Sequence, residues 1–136
     1  MRTFEPTQTR GGKIMAGVFE LNYKGKNILC LDVAGLKLKD KKEFQKHVEF
    51  AEEQIRKHPP KSLLLITNVT DTGFDTEVSA IMGEYAVHNT PYVKASALVG
   101  VSGVQKVVLA AIKVLTGRDF YLIDSVEEAR EWLIQQ

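Results

Sequence analysis

The sequence predicts one α/β domain with a mixed, mostly parallel β-sheet flanked by about four helices, in the order β-β-α-β-α-β-α-β-α. After an opening pair of strands, short apolar runs alternate with stretches of helical periodicity. The run at 62–69, SLLLITNV, is apolar without alternation, as in a parallel strand covered on both faces. A chain of 136 residues suits a single domain, which we place at 14–136 behind a flexible N-terminal arm at 1–13.

The first half of the chain contains a hairpin and a helix. Residues 14–35 are predicted to form two strands joined at Lys24 and Gly25, because glycine supplies the backbone freedom of a tight turn. Asp40 and Glu43 have the spacing of a capping box, so a helix is predicted to begin at Asp40. Four apolar residues spaced along one helical face are expected to point into the core: Phe44, Val48, Ala51 and Ile55.

The second half alternates strands and helices. Asp75 is predicted to cap the second helix, and a strand follows at 92–100. A last strand is predicted at 118–124, and Ser125 is predicted to cap a final helix at 126–134. The inner face of the second helix is expected to consist of Val78, Ile81, Met82 and Tyr85.

The helix Val104–Thr116 has an unusual distribution of apolar residues. Gly117 follows it, in keeping with a left-handed residue after a helix end. On a helical wheel Gln105 and the two lysines face away from the sheet, and Leu109 lies among them. An isolated exposed leucine is common, but a contact surface for another protein or a lipid also presents one, so Leu109 is a candidate interface residue. The broad apolar arc expected to face the sheet comprises positions 107, 108, 111, 112, 114 and 115.

The stretch 99–107, VGVSGVQKV, connects a strand to this helix. Free N–H groups and the dipole at a helix N-terminus favour an anion, which makes Gly100, Ser102, Gly103 and Lys106 candidate anion-binding or ligand-binding residues. The spacing matches neither the phosphate-binding P-loop nor the dinucleotide fingerprint. We therefore expect Ser102 to cap the helix and the glycines to permit a tight turn, with a bound anion as the alternative.

The loop at 68–77, NVTDTGFDTE, follows the carboxyl end of a strand, where open α/β sheets place their sites. The structural interpretation is that Asp75 caps the helix while the hydroxyls bond locally. The functional alternative is a phosphoacceptor at Thr76 or Thr72. A phosphate at the start of a helix adds charge beside a favourable dipole and changes which partners can dock.

Charge and cysteine content narrow the classes of function. Eighteen basic and seventeen acidic residues give no overall attraction to nucleic acid. Cys30 is the only cysteine, so no intramolecular disulfide can form and a reducing compartment fits. No apolar run reaches the ~20 residues of a membrane span, and the N-terminus lacks a signal peptide, so we predict a cytoplasmic protein. The three histidines have no metal-ligand spacing, and we expect no metal, cofactor or catalytic residue.

Two segments carry a resemblance to a known family. They are SLLLITNV at 62–69 and the stretch 95–133, which contains the pattern GVSGVQK…LTGR…F…EEA…WL. With these segments the chain resembles the SpoIIAA-like family, in the STAS and Sec14-like group, over roughly 14–133. The resemblance implies a mixed sheet with helices and no established catalysis.

The resemblance also bears on the phosphoacceptor. In the anti-sigma-factor antagonists that give the family its name, a kinase phosphorylates a serine in an Asp-Ser-Ser-Gly motif, and this switches partner binding. The matching stretch here is DTEV at 75–78, where Thr76 replaces that serine and Glu77 and Val78 replace the next two residues. We therefore expect the antagonist fold without its phosphoswitch.

Two functions from different classes remain open. The first is a non-enzymatic regulatory or protein-interaction module, whose partner is another protein or a second copy in a homodimer. The alternative is a small-ligand or lipid carrier of the Sec14-like type, in which the apolar helix Val104–Thr116 lines the pocket.

Overall fold

The five strands of the described residues form one mixed sheet, as the sequence predicts, and their order in the sheet is β1-β2-β3-β4-β5. The computed structural model describes residues 17–136, so the predicted arm at 1–13 and positions 14–16 lie outside the described residues. The elements are β1 (Val18–Tyr23), β2 (Lys26–Asp32), a 3-10 turn (Leu38–Asp40), α1 (Lys41–Ile55), β3 (Leu63–Asn68), α2 (Thr76–Asn89), β4 (Val93–Val99), α3 (Val104–Thr116), β5 (Tyr121–Ile123) and α4 (Val126–Leu133).

The sheet is mixed because only its first pair of strands is antiparallel. β1 and β2 form a hairpin in which Tyr23 pairs with Lys26. Its two turn residues, Lys24 and Gly25, both have positive φ, 50° and 84°, which matches the right-handed twist of the strands. The pairs β2–β3, β3–β4 and β4–β5 are all parallel. Helical crossovers therefore join every later strand to its neighbour.

Two apolar cores lie on opposite faces of the sheet. The larger core packs α1 and α2 against one face, and all four residues predicted for the inner face of α1 are buried. The smaller core packs α4 against the other face. There Ala129 and Leu133 are fully buried and belong to one apolar cluster with Ile28, Leu64 and Ala97. Burial on both faces explains why β3 is apolar without alternation.

Of the four predicted caps, those at Asp75 and Ser125 are confirmed, and those at Asp40 and Ser102 are wrong. Asp75 Oδ1 accepts the N–H of Val78 at 2.9 Å, and Ser125 Oγ accepts the N–H of Glu128 at 3.1 Å. Asp40 does not cap α1 with its side chain. Its carboxylate instead accepts the N–H of Lys37 at 2.9 Å, because Asp40 itself belongs to a 3-10 turn that directs the carboxylate backwards.

The last strand is shorter than the predicted 118–124. β5 pairs with β4 only from Tyr121 to Ile123. Arg118 does not join the strand, because its guanidinium reaches across to Ser96 and to the last turns of α2. Gly117 has the predicted left-handed conformation, with φ 70° and ψ 10°, and its N–H donates to Lys113 O.

Candidate functional site

Helix α3 is rotated by roughly a third of a turn from the predicted orientation, at about 100° per residue. Leu109 and Ile112 are each only 9% exposed, so the expectation that Leu109 faces solvent is wrong. Gln105, predicted to face away, is also buried. Three large residues predicted to face inward are exposed instead, whereas Ile112 is buried as predicted. We use the name outer face of α3 for its four large exposed side chains: Val104 (68% exposed), Val107 (72%), Val114 (88%) and Leu115 (67%).

Gln105 explains this rotation. Its Nε2 donates to Thr72 O at 3.0 Å and to Val69 O at 3.4 Å, and its Oε1 accepts the N–H of Ser102 at 3.1 Å. These bonds fix the first turn of α3 to the loop after β3. Turning the helix to bury the valines would break these bonds and remove the Gln105 donor from Thr72 O, which costs about 1–3 kcal/mol. Val69 O would keep the N–H of Thr72, which it accepts at 3.1 Å. The apolar content of α3 therefore does not decide which side faces the protein.

In the loop at 99–107, hydrogen bonds within the protein already use some of the backbone N–H groups that an anion would need. Gly103 occupies the N-cap position, and no side chain caps the helix, so the expectation for Ser102 is wrong. Gln105 supplies the reciprocal bond instead. The N–H of Gly100 donates to Ile123 O at 3.2 Å. Lys106 is exposed. The N–H groups of Gly100 and Ser102 are bonded to protein oxygens and are not available to an anion, and whether the loop binds one stays a prediction.

Gly100 is required by close approach of the backbone. Its φ is +80°, a region that side chains rarely adopt, and a Cβ there would overlap the side chain and Cα of Thr70. The glycine therefore lets the loop after β4 pass against the loop after β3. Both loops lie at the carboxyl edge of the sheet.

The two candidate phosphoacceptors have different environments. Thr72 is 7% exposed and its hydroxyl donates to Val33 O at 2.8 Å, so it is inaccessible to a kinase in this fold. Thr76 is exposed at the first position of α2. Whether Thr76 carries a phosphate stays a prediction.

Charges already occupy the start of α2 around Thr76. Lys41 Nζ lies 2.5 Å from Asp75 Oδ2 and 2.9 Å from Glu77 Oε1. The hydrogen bond from Lys41, followed by that from the N–H of Val78, lowers the pKa of the Asp75 carboxyl. Lys41, Asp75 and Glu77 thus form a network of ion pairs on the surface beside Thr76.

The rest of the described chain adds few candidates for chemistry. Residues 17–136 contain no group of three or more His, Cys, Asp or Glu side chains placed to hold a metal ion. No helix within this range is long and apolar enough to cross a membrane. Cys30 is buried in β2, as predicted.

A crevice between α2, α3 and the sheet was missed by sequence reasoning. Its polar lining includes Tyr85, Asn89 and Arg118. Tyr85 and Asn89 are one helical turn apart, so a tyrosine and an asparagine on the inner side of one helix were the available signal. Arg118 could not have been assigned to this crevice, because the sequence places it inside the last strand, whereas β5 begins only at Tyr121.

Comparisons with known proteins agree with this architecture. No model of a protein family matches the chain, and neither does any curated protein. A solved structure of an uncharacterised DUF3478-family protein from Shewanella loihica PV-4, which has a SpoIIAA-like fold, superposes with a TM-score of 0.60. The match covers 85% of this chain and 91% of that one, at 17% sequence identity. The chain therefore has the SpoIIAA-like fold that the sequence resemblance predicts.

Proposed function

We propose that this protein is a non-enzymatic, STAS-like interaction module that binds another protein through the outer face of α3. The observation that carries the proposal is the exposure of four large aliphatic side chains on one side of a single helix, between 67% and 88%. Single exposed apolar residues are ordinary, but a contiguous group on one helix face is typical of an interaction site.

The outer face can supply part of the free energy of binding that a specific complex needs. Fully burying one valine or leucine side chain contributes about 1.5–3 kcal/mol, so the four together offer about 6 kcal/mol or more. Part of this offsets the lost translational and rotational freedom of the partners. A micromolar complex would need additional contacts from the rim.

Charge at the rim favours a different protein over a second copy of this chain. α3 carries Lys106 and Lys113 and no acidic residue. If two copies paired α3 antiparallel to α3 about a two-fold axis, the edges that carry Lys106 would face each other and repel, whereas Lys113 is paired with Asp119 at 3.6 Å. The expected partner is therefore a protein with an apolar ridge edged by carboxylates.

The lipid-carrier alternative has less support. A carrier would need the apolar side of α3 to line an internal pocket, whereas that side faces outward. The crevice beneath α3 measures about 40 Å³, which is too small for the long acyl chain of a lipid.

A site-specific crosslink tests the proposal. A photo-reactive amino acid replaces Val114 in the protein expressed in its native cells, and the same group at exposed Lys94 on β4 serves as the control position. An adduct specific to position 114 is identified by mass, and that protein is purified. We expect the purified partner to bind the wild-type chain. Its affinity for a Val107→Lys, Val114→Lys double variant should be at least about tenfold lower.

Controls separate the outcomes. Val87→Lys, at an exposed valine on α2 outside the outer face, should leave the affinity unchanged. Circular dichroism should show all variants folded. If position 114 crosslinks only to another copy of this chain, the outer face is a homodimer interface and the proposed partner is refuted. If it crosslinks only to lipid, the outer face binds a membrane surface instead. Equal affinity of the double variant and wild type would refute the assignment of the face.

A further inference from the structure

A crevice separate from the outer face lies between α2, α3 and strands β3 and β4. It measures about 40 Å³. Most of its wall is apolar and comes from Leu65, Met82, Leu98, Leu109, Ile112 and Phe120. The polar side chains of Tyr85, Asn89 and Arg118 also line the crevice and bring hydrogen-bond donors to it.

Arg118 places a cation in the crevice. Its Nη1 donates to Ala86 O at 3.0 Å and its Nη2 to Ser96 Oγ at 2.6 Å, while Cζ lies 4.7 Å from the centroid of the Phe120 ring. A guanidinium has five N–H donors, and these two bonds use only two of them. No carboxylate within residues 17–136 forms an ion pair with it. Burial lowers the pKa of Arg118, as expected for a cation without a counter-ion.

Two further donors in the crevice lack partners. Tyr85 is 2% exposed and Asn89 is 1% exposed, and both line the crevice from successive turns of α2. Tyr85 Oη and Asn89 Nδ2 make no hydrogen bond of good geometry with any group in 17–136. Burial raises the pKa of the Tyr85 hydroxyl, and the nearby Thr67 and Asn89 side chains oppose part of that rise. The hydroxyl therefore remains a protonated donor at neutral pH.

We propose that the crevice binds the carboxylate of a short-chain monocarboxylic acid. A carboxylate has two acceptor oxygens that match the fork of an arginine, and its oxygens would satisfy Tyr85 and Asn89. One negative charge balances the single cation of Arg118. A phosphate dianion would leave excess charge among apolar walls. Water would satisfy the two orphaned donors but would leave Arg118 without a counter-ion.

The size of the crevice sets the class of acid. About 40 Å³ holds roughly three water-sized groups, which is the size of a carboxyl group, so an attached chain would extend along the apolar walls towards the mouth of the crevice. The apolar walls favour an alkyl chain over a hydroxylated one. Acids of about two to four carbons fit best, and longer fatty acids would need α3 to move.

Titration of the ¹⁵N-labelled full chain with sodium butyrate tests the proposal. We expect saturable shifts of amides around α2, α3 and Arg118, with a millimolar midpoint. Sodium chloride at equal ionic strength and the neutral isostere butyramide are the ligand controls, and neither should reproduce these shifts. A series from acetate to octanoate should bind best at two to four carbons, and tightest binding by octanoate would overturn the size argument.

Variants locate the binding. Arg118→Met should weaken butyrate binding at least about tenfold, and Tyr85→Phe, which keeps the packed ring, about threefold or more. Lys94→Met removes one exposed cation from β4 outside the crevice and should have no effect. If Arg118→Met does not fold, Tyr85→Phe still decides. No saturable shift at 100 mM butyrate (roughly a hundred times a 1 mM midpoint), equal shifts with butyramide, or unchanged binding in Tyr85→Phe would overturn the proposal.

Discussion

Replacing Leu109 by alanine should destabilise the protein, although the helical wheel places this residue on the solvent side. Leu109 is 9% exposed, and the change removes three buried carbons, about 0.8 kcal/mol each. The neighbouring crevice already provides open space, so the added cost of a new cavity should be small. We expect a loss of about 2–3 kcal/mol in the free energy of unfolding, or roughly 6–12 °C in Tm for a chain of this size.

Urea unfolding followed by tryptophan fluorescence measures this loss. Trp132 is the only tryptophan, and its ring stacks on Tyr121 with the centroids 4.3 Å apart, so unfolding should change its emission. Val114→Ala and Leu115→Ala are the matched controls on the outer face. Each should change stability by no more than about 0.5 kcal/mol, because the parent side chains are 88% and 67% exposed.

The ranking of these variants decides the orientation of α3. The helical wheel predicts the reverse order, with Leu115→Ala costing ~2–5 kcal/mol and Leu109 tolerating even lysine. If Leu115→Ala or Val114→Ala proves as damaging as Leu109→Ala, then the outer face is buried. The reasoning from Gln105 would then fail.

Three other predictions concern the carboxyl edge of the sheet. Both Gly100 and Gly25 have positive φ, so alanine is strained at either position, but only at Gly100 would its Cβ also overlap Thr70. Gly100→Ala should therefore lower Tm by several degrees more than Gly25→Ala or prevent folding, and equal Tm values in a thermal melt would contradict this. Because the folded-state pKa of Asp75 is lowered, its contribution to stability is present above the unfolded-state pKa and is lost as pH falls through the folded-state value. Asp75→Asn should therefore flatten the acid limb of a plot of unfolding free energy against pH, and an unchanged limb would exclude the effect. Thr76→Glu should leave fold and oligomeric state unchanged, and phosphopeptide mapping from native cells should find no stoichiometric phosphate on Thr76.

The element order was predictable because each helix and strand carries its own local pattern. The inner face of α1 repeats at helical spacing, and all its predicted residues are buried. The caps at Asp75 and Ser125 follow from residue type and position. The cap at Asp40 failed because a preceding 3-10 turn, which has no strong sequence pattern, takes its carboxylate.

The orientation of α3 was not predictable from its own sequence. The helix is apolar on two sides, so periodicity offers two inner faces, and long-range bonds of Gln105 choose between them. A polar residue was assigned to solvent because buried glutamines are uncommon. The crevice was not predictable for a similar reason. Arg118, Tyr85 and Asn89 come together only when separate elements of the chain pack against one another.

The sequential strand order has a consequence for how the sheet assembles. No strand has to insert between two others that are already paired. Ile28 pairs with Leu64, Leu64 with Ala95, and Ala97 with Tyr121, so each parallel pairing closes a loop of roughly 25–35 residues at a similar entropic cost. During synthesis each new strand can thus dock on the one made just before it, and the growing edge always belongs to the youngest part of the chain.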